Sequence, residues 1–313
     1  MQYKHIPVML KEVLEYLDPK PGENFIDCTL GGSGYTIAIA KKVGKNGTVL
    51  SIDLDEMAIK NAKDIIKKLK LNNIILVKDS FRNLLKIKNK YFKERKINGI
   101  VFDLGLSSAQ LDDRNRGFSF KEDESLNMAF GDVENGITTE EIINNYSEEE
   151  LEKIIREYGE ERFAKRISGA IINSRKSAPI KTAKQLAEII KNSVPKRFQG
   201  KIHPATKTFQ ALRIATNNEM ESLKEALPQA LNLLEKEGKI VIISYHSLED
   251  RIVKRFFKEE SRDCLCPPNF PACRCQHKAR LKILTRRVIR PTEEEVTDNP
   301  RARSAKLRAI IKL

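Results

Sequence analysis

A glycine turn and four carboxylates carry the most legible chemistry in this sequence. The apolar run NFIDC (24–28) brings Asp27 to its end, Gly31-Gly32-Ser33-Gly34 follows, and a helical stretch begins at Tyr35. Glycines at a strand-to-helix turn let the backbone approach a ligand with no Cβ in the way. Asp53 ends the next apolar run, 19 residues after Gly34. From that position a carboxylate accepts hydrogen bonds from ribose hydroxyls. The third run ends in Asp79-Ser80-Phe81, a carboxylate for an adenine amino group and a ring to pack on a base. The dinucleotide fingerprint G-x-G-x-x-G/A, started at Gly32, puts Ile37 in its third place, and the turn holds no cation for a pyrophosphate. An adenosyl sulfonium carries no phosphate and pairs with acids instead, and Asp27 is available for that. The set fits S-adenosylmethionine better than NAD.

The fourth run leaves the sheet as Val101-Phe102-Asp103-Leu104-Gly105-Leu106-Ser107-Ser108. In an open α/β sheet the ligand crevice lies beyond the carboxyl ends of the strands. An exocyclic amine is a poor nucleophile because its lone pair is delocalised into the ring. A carboxylate that accepts its N–H pulls the nitrogen toward tetrahedral geometry and holds it in line with a methyl donor, which is catalysis by orientation and electrostatics. Asp103 is the candidate for that role, or for a contact to the cofactor. Amine methyltransferases commonly place Asp/Asn-Pro-Pro-Tyr/Phe here, whereas this chain has Asp-Leu-Gly-Leu. Phe118, Phe120, Tyr245 or His246 would then have to hold the base. His246 ends a fifth apolar run (239–246) at the same edge. Its imidazole, of ordinary pKa about 6.5, either serves the substrate or makes a structural hydrogen bond.

These residues need a scaffold. Over the first 110 residues, strand-like runs at 24–28, 48–55, 73–80 and 97–105 alternate with helical spacing at 35–43 and 56–70. Such alternation means parallel βαβ units and a doubly wound α/β sheet. Residues 106–125 read as a long loop, and about 138–236 as almost entirely helical, with helix starts at Thr139 with Glu141 and at Ser147 with Glu150. The run at 239–246, a helix from Leu248 to about Glu260, and strand-like LKILTRRVI and AKLRAIIKL close the sheet. The expected architecture is a discontinuous sheet domain, 1–112 and 207–313, interrupted by a helical domain over 113–206.

With 40% hydrophobic and 32% charged residues the 313-residue chain has the profile of a globular protein, and no apolar run approaches the roughly 18 residues that span a bilayer. The opening MQYKHIPVML lacks the apolar core of a signal peptide, so a cytoplasmic setting with reduced cysteines is expected. The net charge is +14, unevenly spread: residues 151–217 carry +10, 245–290 carry +7 and 111–150 carry −9. Two basic blocks suggest a polyanionic partner, RNA or DNA. Arg162, Lys165, Arg166, Arg175 and Lys176 would meet phosphates, which position a substrate without reading its bases. The alternative is a solvated helix face with pairs to Glu161 and its neighbours. His203 either contacts RNA or caps a helix.

Longer motifs carry a resemblance. DLGLSSAQLDDRNRGFSF (103–120), YGEERFAKRI (158–167), HPATKTFQALRI (203–214), SYHSLEDRIVKRFF (244–257), NPRARSAKLR (299–308) and the opening HIPVML (5–10) resemble the bacterial small-subunit ribosomal RNA cytosine-N4 methyltransferases, the MraW or RsmH family. The resemblance implies a Rossmann-like methyltransferase sheet with a helical insertion. It implies methyl transfer from S-adenosylmethionine to N4 of a cytidine in 16S ribosomal RNA, naked or within a particle. It places cofactor contacts on Ser33, Gly34, Tyr35, Asp53, Phe81, Asp103 and Gln110. A homodimer is compatible with it. The chain departs from the family at Tyr35, where histidine is usual, and at Leu126-Asn127-Met128-Ala129-Phe130-Gly131, where the family has a stretch resembling Leu-Asp-Met-Arg-Met-Asp. That second departure leaves open a different nucleic-acid target or a non-catalytic RNA-binding assembly factor.

Cys264, Cys266, Cys273 and Cys275 form C-x-C-x6-C-x-C. Four thiolates in 12 residues can bind zinc, although the usual C-x2-C knuckle spacing is absent, and free or oxidation-prone thiols are the alternative. Cys28 reads as a buried small side chain.

Overall fold

A computed structural model describes residues 7–107, 116–120, 123–131, 136–200, 202–267, 270 and 272–313. The chain divides into two compact units, one of Met1–Gly105 with Met220–Leu313 and one of Leu106–Glu219. The division falls at 105/106 and 219/220, where the sequence reading put it at 112/113 and 206/207. The helix Thr206–Asn217 packs on the other helices of the insertion, so it belongs with them.

The first unit is built on a seven-stranded sheet. Its elements in chain order are α1 (Leu10–Leu17), β1 (Asn24–Asp27), α2 (Gly34–Val43), β2 (Thr48–Asp53), α3 (Glu56–Leu69), β3 (Ile74–Lys78), a 3₁₀ turn (Phe81–Asn83), α4 (Leu84–Tyr91) and β4 (Ile97–Asp103). The insertion contributes α5 (Thr139–Asn145), α6 (Glu148–Gly159), α7 (Ala164–Arg175), α8 (Ala183–Ser193) and α9 (Thr206–Asn217). Then come α10 (Glu219–Leu233), β5 (Leu234–Ser244), α11 (Ser247–Glu260), β6 (Leu281–Ile283), α12 (Glu293–Asp298) and β7 (Lys306–Lys312). The strand order is β3-β2-β1-β4-β5-β7-β6. The pairs among the first five strands are parallel, and β7 runs antiparallel between β5 and β6. This is a Rossmann-like α/β sheet.

Alternation along the strands builds a core on each face. Ile26, Leu50, Ile100, Phe102, Ile240 and Ile242 point to one side, against Leu84 and Ile87 of α4, Leu223, Leu227 and Leu231 of α10, and Val253 and Phe257 of α11. Their neighbours Phe25, Val49, Val101, Val241 and Ile243 point to the other, against Val13 and Leu17 of α1 and Ile39 and Val43 of α2. Burial on both faces is why β1, β4 and the end of β5 read as near-continuous apolar runs. Each fully buried side chain contributes about 1.5–3 kcal/mol, so strand register is set by many contacts at once. That register brings Asp27 level with Ser51 and Val101, and Asp103 level with Ile243, so the acids emerge at one edge.

The second unit is a small helical domain. Capping boxes start α5 and α6: Thr138 with Glu141, one residue before the expected Thr139, and Ser147 with Glu150 as expected. Its core joins Leu126, Met128, Ile142, Ile143, Leu151, Ile155, Ile167, Ile171, Leu186, Ile190 and Leu212. The 126–131 stretch is part of that fold. Leu126 and Met128 are buried, the Asn217 side chain accepts from Phe130 N–H at 2.8 Å, and it donates to the Met128 carbonyl at 2.8 Å. The side chains that differ from the family pattern are thus carried on a segment anchored by its own core and backbone bonds.

Candidate active site

The turn after β1 is shaped by its residue types. Leu30 and Ser33 close it through a Ser33 N–H to Leu30 carbonyl bond of 2.7 Å, and Ser33 adopts φ 66° as it hands the chain to α2. A Cβ on Gly34 would lie 2.7 Å from the Pro7 ring, so only glycine lets the N-terminal segment close over the start of α2. Asp27 is buried and accepts from Thr29 N–H at 3.1 Å and from the Thr36 hydroxyl at 2.6 Å, with Ser51 joined to Thr36 at 2.7 Å. Asp53 accepts from Gly31 N–H and Asp55 N–H, both at 2.9 Å. It therefore fixes the turn as well as ending β2. Asp79 accepts from Ser80 N–H and from the Asn83 side chain, and Phe81 packs edge-on against Phe102 with ring centres 5.7 Å apart.

Asp103 sits at the end of β4. Its N–H donates to Thr29 Oγ1 at 2.7 Å, and its Oδ1 accepts from the Tyr245 hydroxyl at 2.7 Å. The Tyr35 hydroxyl donates to the Val8 carbonyl. Tyr245 therefore positions the acid, and its hydroxyl is committed to that role. Gly105, at φ 97°, turns the chain directly after the acid, beside the Tyr245 ring.

Three of these carboxyls are held above the ordinary carboxylate range. Burial pushes Asp27 to about 7, Asp53 to about 6 and Asp103 to about 7, against hydrogen bonds that pull the other way. Asp27 and Asp53 also repel each other, as do Asp27 and Asp103. Acids crowded at adjacent strand ends form a site that favours a cation, because a positive charge relieves both the burial and the repulsion. Ser33 Oγ is buried with no hydrogen-bond partner among the described residues. A ligand carrying cationic and hydroxyl groups fits both features, and S-adenosylmethionine carries both. Ser33, Gly34, Asp53 and Phe81 surround this turn and could hold it. Gln110, the remaining expected contact, lies outside the described residues.

His246 caps α11. Its Nδ1 accepts from Glu249 N–H at 3.4 Å, while Glu249 Oε2 accepts from the N–H groups of Tyr245 and His246 at 2.8 and 3.2 Å. His246 Nε2 lies 3.0 Å from Glu249 Oε1 but at an angle too poor for a hydrogen bond. The ring serves the helix start, the structural alternative weighed in the sequence. Phe118 is buried and tilts against Phe130, and Phe120 is covered by His203 and Phe209, with ring centres 4.7 and 5.0 Å away. These rings pack into the helical unit. His203 Nδ1 accepts from Ala205 N–H at 3.2 Å in the turn leading to α9. Arg175 is also withdrawn from phosphate contact, because its guanidinium donates to the Ile143 and Tyr146 carbonyls at 2.6 and 2.7 Å and closes the end of α5. Arg162 stacks on Phe198 at 4.3 Å, and Arg162, Lys165, Arg166 and Lys176 are all exposed.

Sequence reasoning missed Thr29, Thr36 and Tyr245 as the groups that hold Asp27 and Asp103. A hydroxyl two residues past a strand-end acid, and another one helical turn beyond the glycines, are the signals that could have found the first two.

The chain is similar throughout to known methyltransferases. The model of the MraW methylase family matches residues 2–313. A "Ribosomal RNA small subunit methyltransferase H" of Halothermothrix orenii is 48% identical over 306 residues, covering 97% of each chain. Proteins of the same name from Finegoldia magna and Caldicellulosiruptor saccharolyticus are 44% and 46% identical, covering 100% and 99% of this chain and 100% of their own lengths. A full-length match of this kind, on a Rossmann-like sheet whose strand ends gather acids around a glycine turn, makes the chain a member of the MraW methylase family.

Proposed function

We propose that this protein transfers a methyl group from S-adenosylmethionine to the N4 amine of a cytidine in small-subunit ribosomal RNA. The observation that carries the reading is Asp103, a buried carboxyl at the end of β4 next to the glycine turn, held by the Tyr245 hydroxyl. The names of its relatives support the RNA class, and +10 over 151–217 supports a polyanionic partner. The cofactor, when bound, supplies an electrophilic methyl on a sulfonium. The chain does the rest.

Gly31 to Gly34 and Ser33 Oγ would hold the cofactor beside α2, Asp53 would take its ribose, and Asp27 would supply negative charge. A carboxylate has roughly four lone-pair sites, and the Tyr245 hydroxyl uses one of them on Asp103. The remainder can accept an N–H of the cytidine amine and hold its nitrogen in line with the methyl. No strong base is needed before transfer, because the methylated amine is acidic and loses its proton afterwards. The cytidine must leave its stack to reach this edge, which makes base selection a property of the pocket. Lys165 and Arg166 offer exposed charge for phosphates. A cytoplasmic setting, with naked RNA or an assembling particle as substrate, goes with this reading.

The test is Asp103→Asn. Methyl transfer should fall about 10²–10³-fold, the usual loss for one electrostatic group at a reacting centre. RNA retention and S-adenosylmethionine affinity should stay within a few fold. Unchanged transfer would remove Asp103 from the mechanism, and lost cofactor affinity would make it a cofactor ligand instead.

A further inference from the structure

Away from the strand ends, the segment joining α11 to β6 carries four cysteines that neither the fold nor methyl transfer uses. The base of this segment is closed by Arg280 N–H to the Glu260 carbonyl at 2.8 Å, by Ala279 N–H to Asp263 Oδ1 at 3.2 Å and by His277 on the Glu259 carbonyl. Among the described residues its tip has no buried apolar side chain. Leu265 and Phe270 are 43% and 48% exposed, and Cys264, Cys273 and Cys275 are exposed as well. Yet the Sγ atoms of Cys264, Cys266, Cys273 and Cys275 all lie within 4.8 Å of one another. Hydrophobic burial does not gather them there.

The spacing selects among the possible reasons. Cys273 and Cys275 have sulfurs 3.6 Å apart, and Cys275 and Cys264 have sulfurs 3.8 Å apart. A disulfide needs about 2.05 Å. A tetrahedral Zn²⁺ with bonds of about 2.3 Å to sulfur puts neighbouring sulfurs about 3.8 Å apart. Backbone N–H groups already point at the sulfurs, Leu265 to Cys275 and Arg274 to Cys266 at 3.3 Å and Cys266 to Cys264 at 3.4 Å. Such donors stabilise thiolate charge. The nearby imidazole of His277 is engaged with the Glu259 carbonyl, which leaves an all-sulfur set.

We propose that Cys264, Cys266, Cys273 and Cys275 form a structural zinc site. Two C-x-C turns supply the four ligands in place of the usual C-x2-C knuckles. Binding replaces four S–H bonds with four Zn–S bonds and releases four protons, with no change of oxidation state. The resulting centre carries a net charge of −2, offset by the N–H donors and by Arg262, Arg274 and Lys278 in the same segment. All four ligand positions are filled by protein, so the site is closed to substrate and does no chemistry. It cross-links the tip of a basic segment whose described apolar residues, Leu265 and Phe270, are exposed.

The full chain, purified without chelator, should contain close to one zinc per molecule. Cys273→Ser with Cys275→Ser should lower that content at least tenfold while leaving the molecule folded by circular dichroism. If the double variant fails to fold, cobalt(II) added to chelator-treated wild type gives the same answer. Sulfur-to-cobalt charge transfer and tetrahedral ligand-field bands are expected, and a thiol reagent on native protein should find no reactive cysteine before chelation and four after, Cys28 staying buried. Metal-free protein with four reactive thiols and no cobalt spectrum, or a mass showing disulfides in native protein, would overturn the proposal.

Discussion

Replacing Tyr245 with phenylalanine removes one oxygen atom and tests what Asp103 is for. In the native site the Tyr245 hydroxyl donates to Asp103 Oδ1 at 2.7 Å. Burial holds the Asp103 carboxyl up at about 7, and this hydrogen bond is the largest influence pulling it down. A hydrogen bond to a charged group contributes about 1.5–3 kcal/mol, and each 1.36 kcal/mol corresponds to about one pH unit. Without the hydroxyl the carboxyl should titrate about one to two pH units higher. At pH 7 the wild-type group is then about half ionised and the variant roughly 1–10% ionised. If only the carboxylate accepts the amine N–H, single-turnover methyl transfer at pH 7 falls about 5–50-fold. The deficit should close as pH rises past about 9. A bound sulfonium lowers both acid limbs, so the displacement between them is the quantity to measure. Asp103→Asn should instead lose transfer at every pH. An acid limb that stays put in Tyr245→Phe, or a loss independent of pH, would refute the reasoning.

Further expectations follow from particular contacts. Asp27, Asp53 and Asp103 titrate at about 7, 6 and 7 instead of near 4, so the folded state holds protons that the unfolded state has lost. Stability of the ligand-free protein should therefore fall as pH rises from about 4 to 7, and the rise in Tm given by S-adenosylmethionine should grow over the same range. A scan in which both are flat would contradict the cation-seeking site. Ser33→Ala removes a buried hydroxyl without a partner, so ligand-free stability should hold or rise by up to about 1 kcal/mol, while S-adenosylmethionine affinity drops several-fold by calorimetry. Asn217→Ala strips the bonds to Met128 and Phe130 and should cost about 2–3 kcal/mol in denaturant unfolding. Gly117→Ala would place a Cβ 1.8 Å from the Ser125 carbonyl at a φ of 72°, and should lower Tm by about 5 °C or more.

Much of this architecture is legible in residue order because strands buried on both faces must be apolar along their length. Each of β1, β2 and β4 ends at the first acid after such a run, which is why Asp27, Asp53 and Asp103 can be placed before any coordinates. Partners are harder to read. Tyr245 and Asp103 are 142 positions apart and meet only because β4 and β5 are adjacent in register. His246 reads as a chemical residue because imidazole is an uncommon helix cap, and its capping partner, Glu249, stands three residues on in a capping box. Phe118 and Phe120 sit in a loop-like stretch whose composition hides that it packs on helices formed far downstream. Arg175 illustrates the same limit for charge. A run of basic residues does not say which guanidinium is turned inward to close a neighbouring helix.

The central claim is that this sheet edge methylates a cytidine amine. Purified protein with labelled S-adenosylmethionine should be given naked small-subunit ribosomal RNA or small subunits from cells lacking the enzyme, and the labelled nucleoside identified by mass. N4-methylcytidine from wild type, with none from Asp103→Asn, is the expected result. Label on another atom or another nucleoside, or none from a protein that binds both cofactor and RNA, would contradict it.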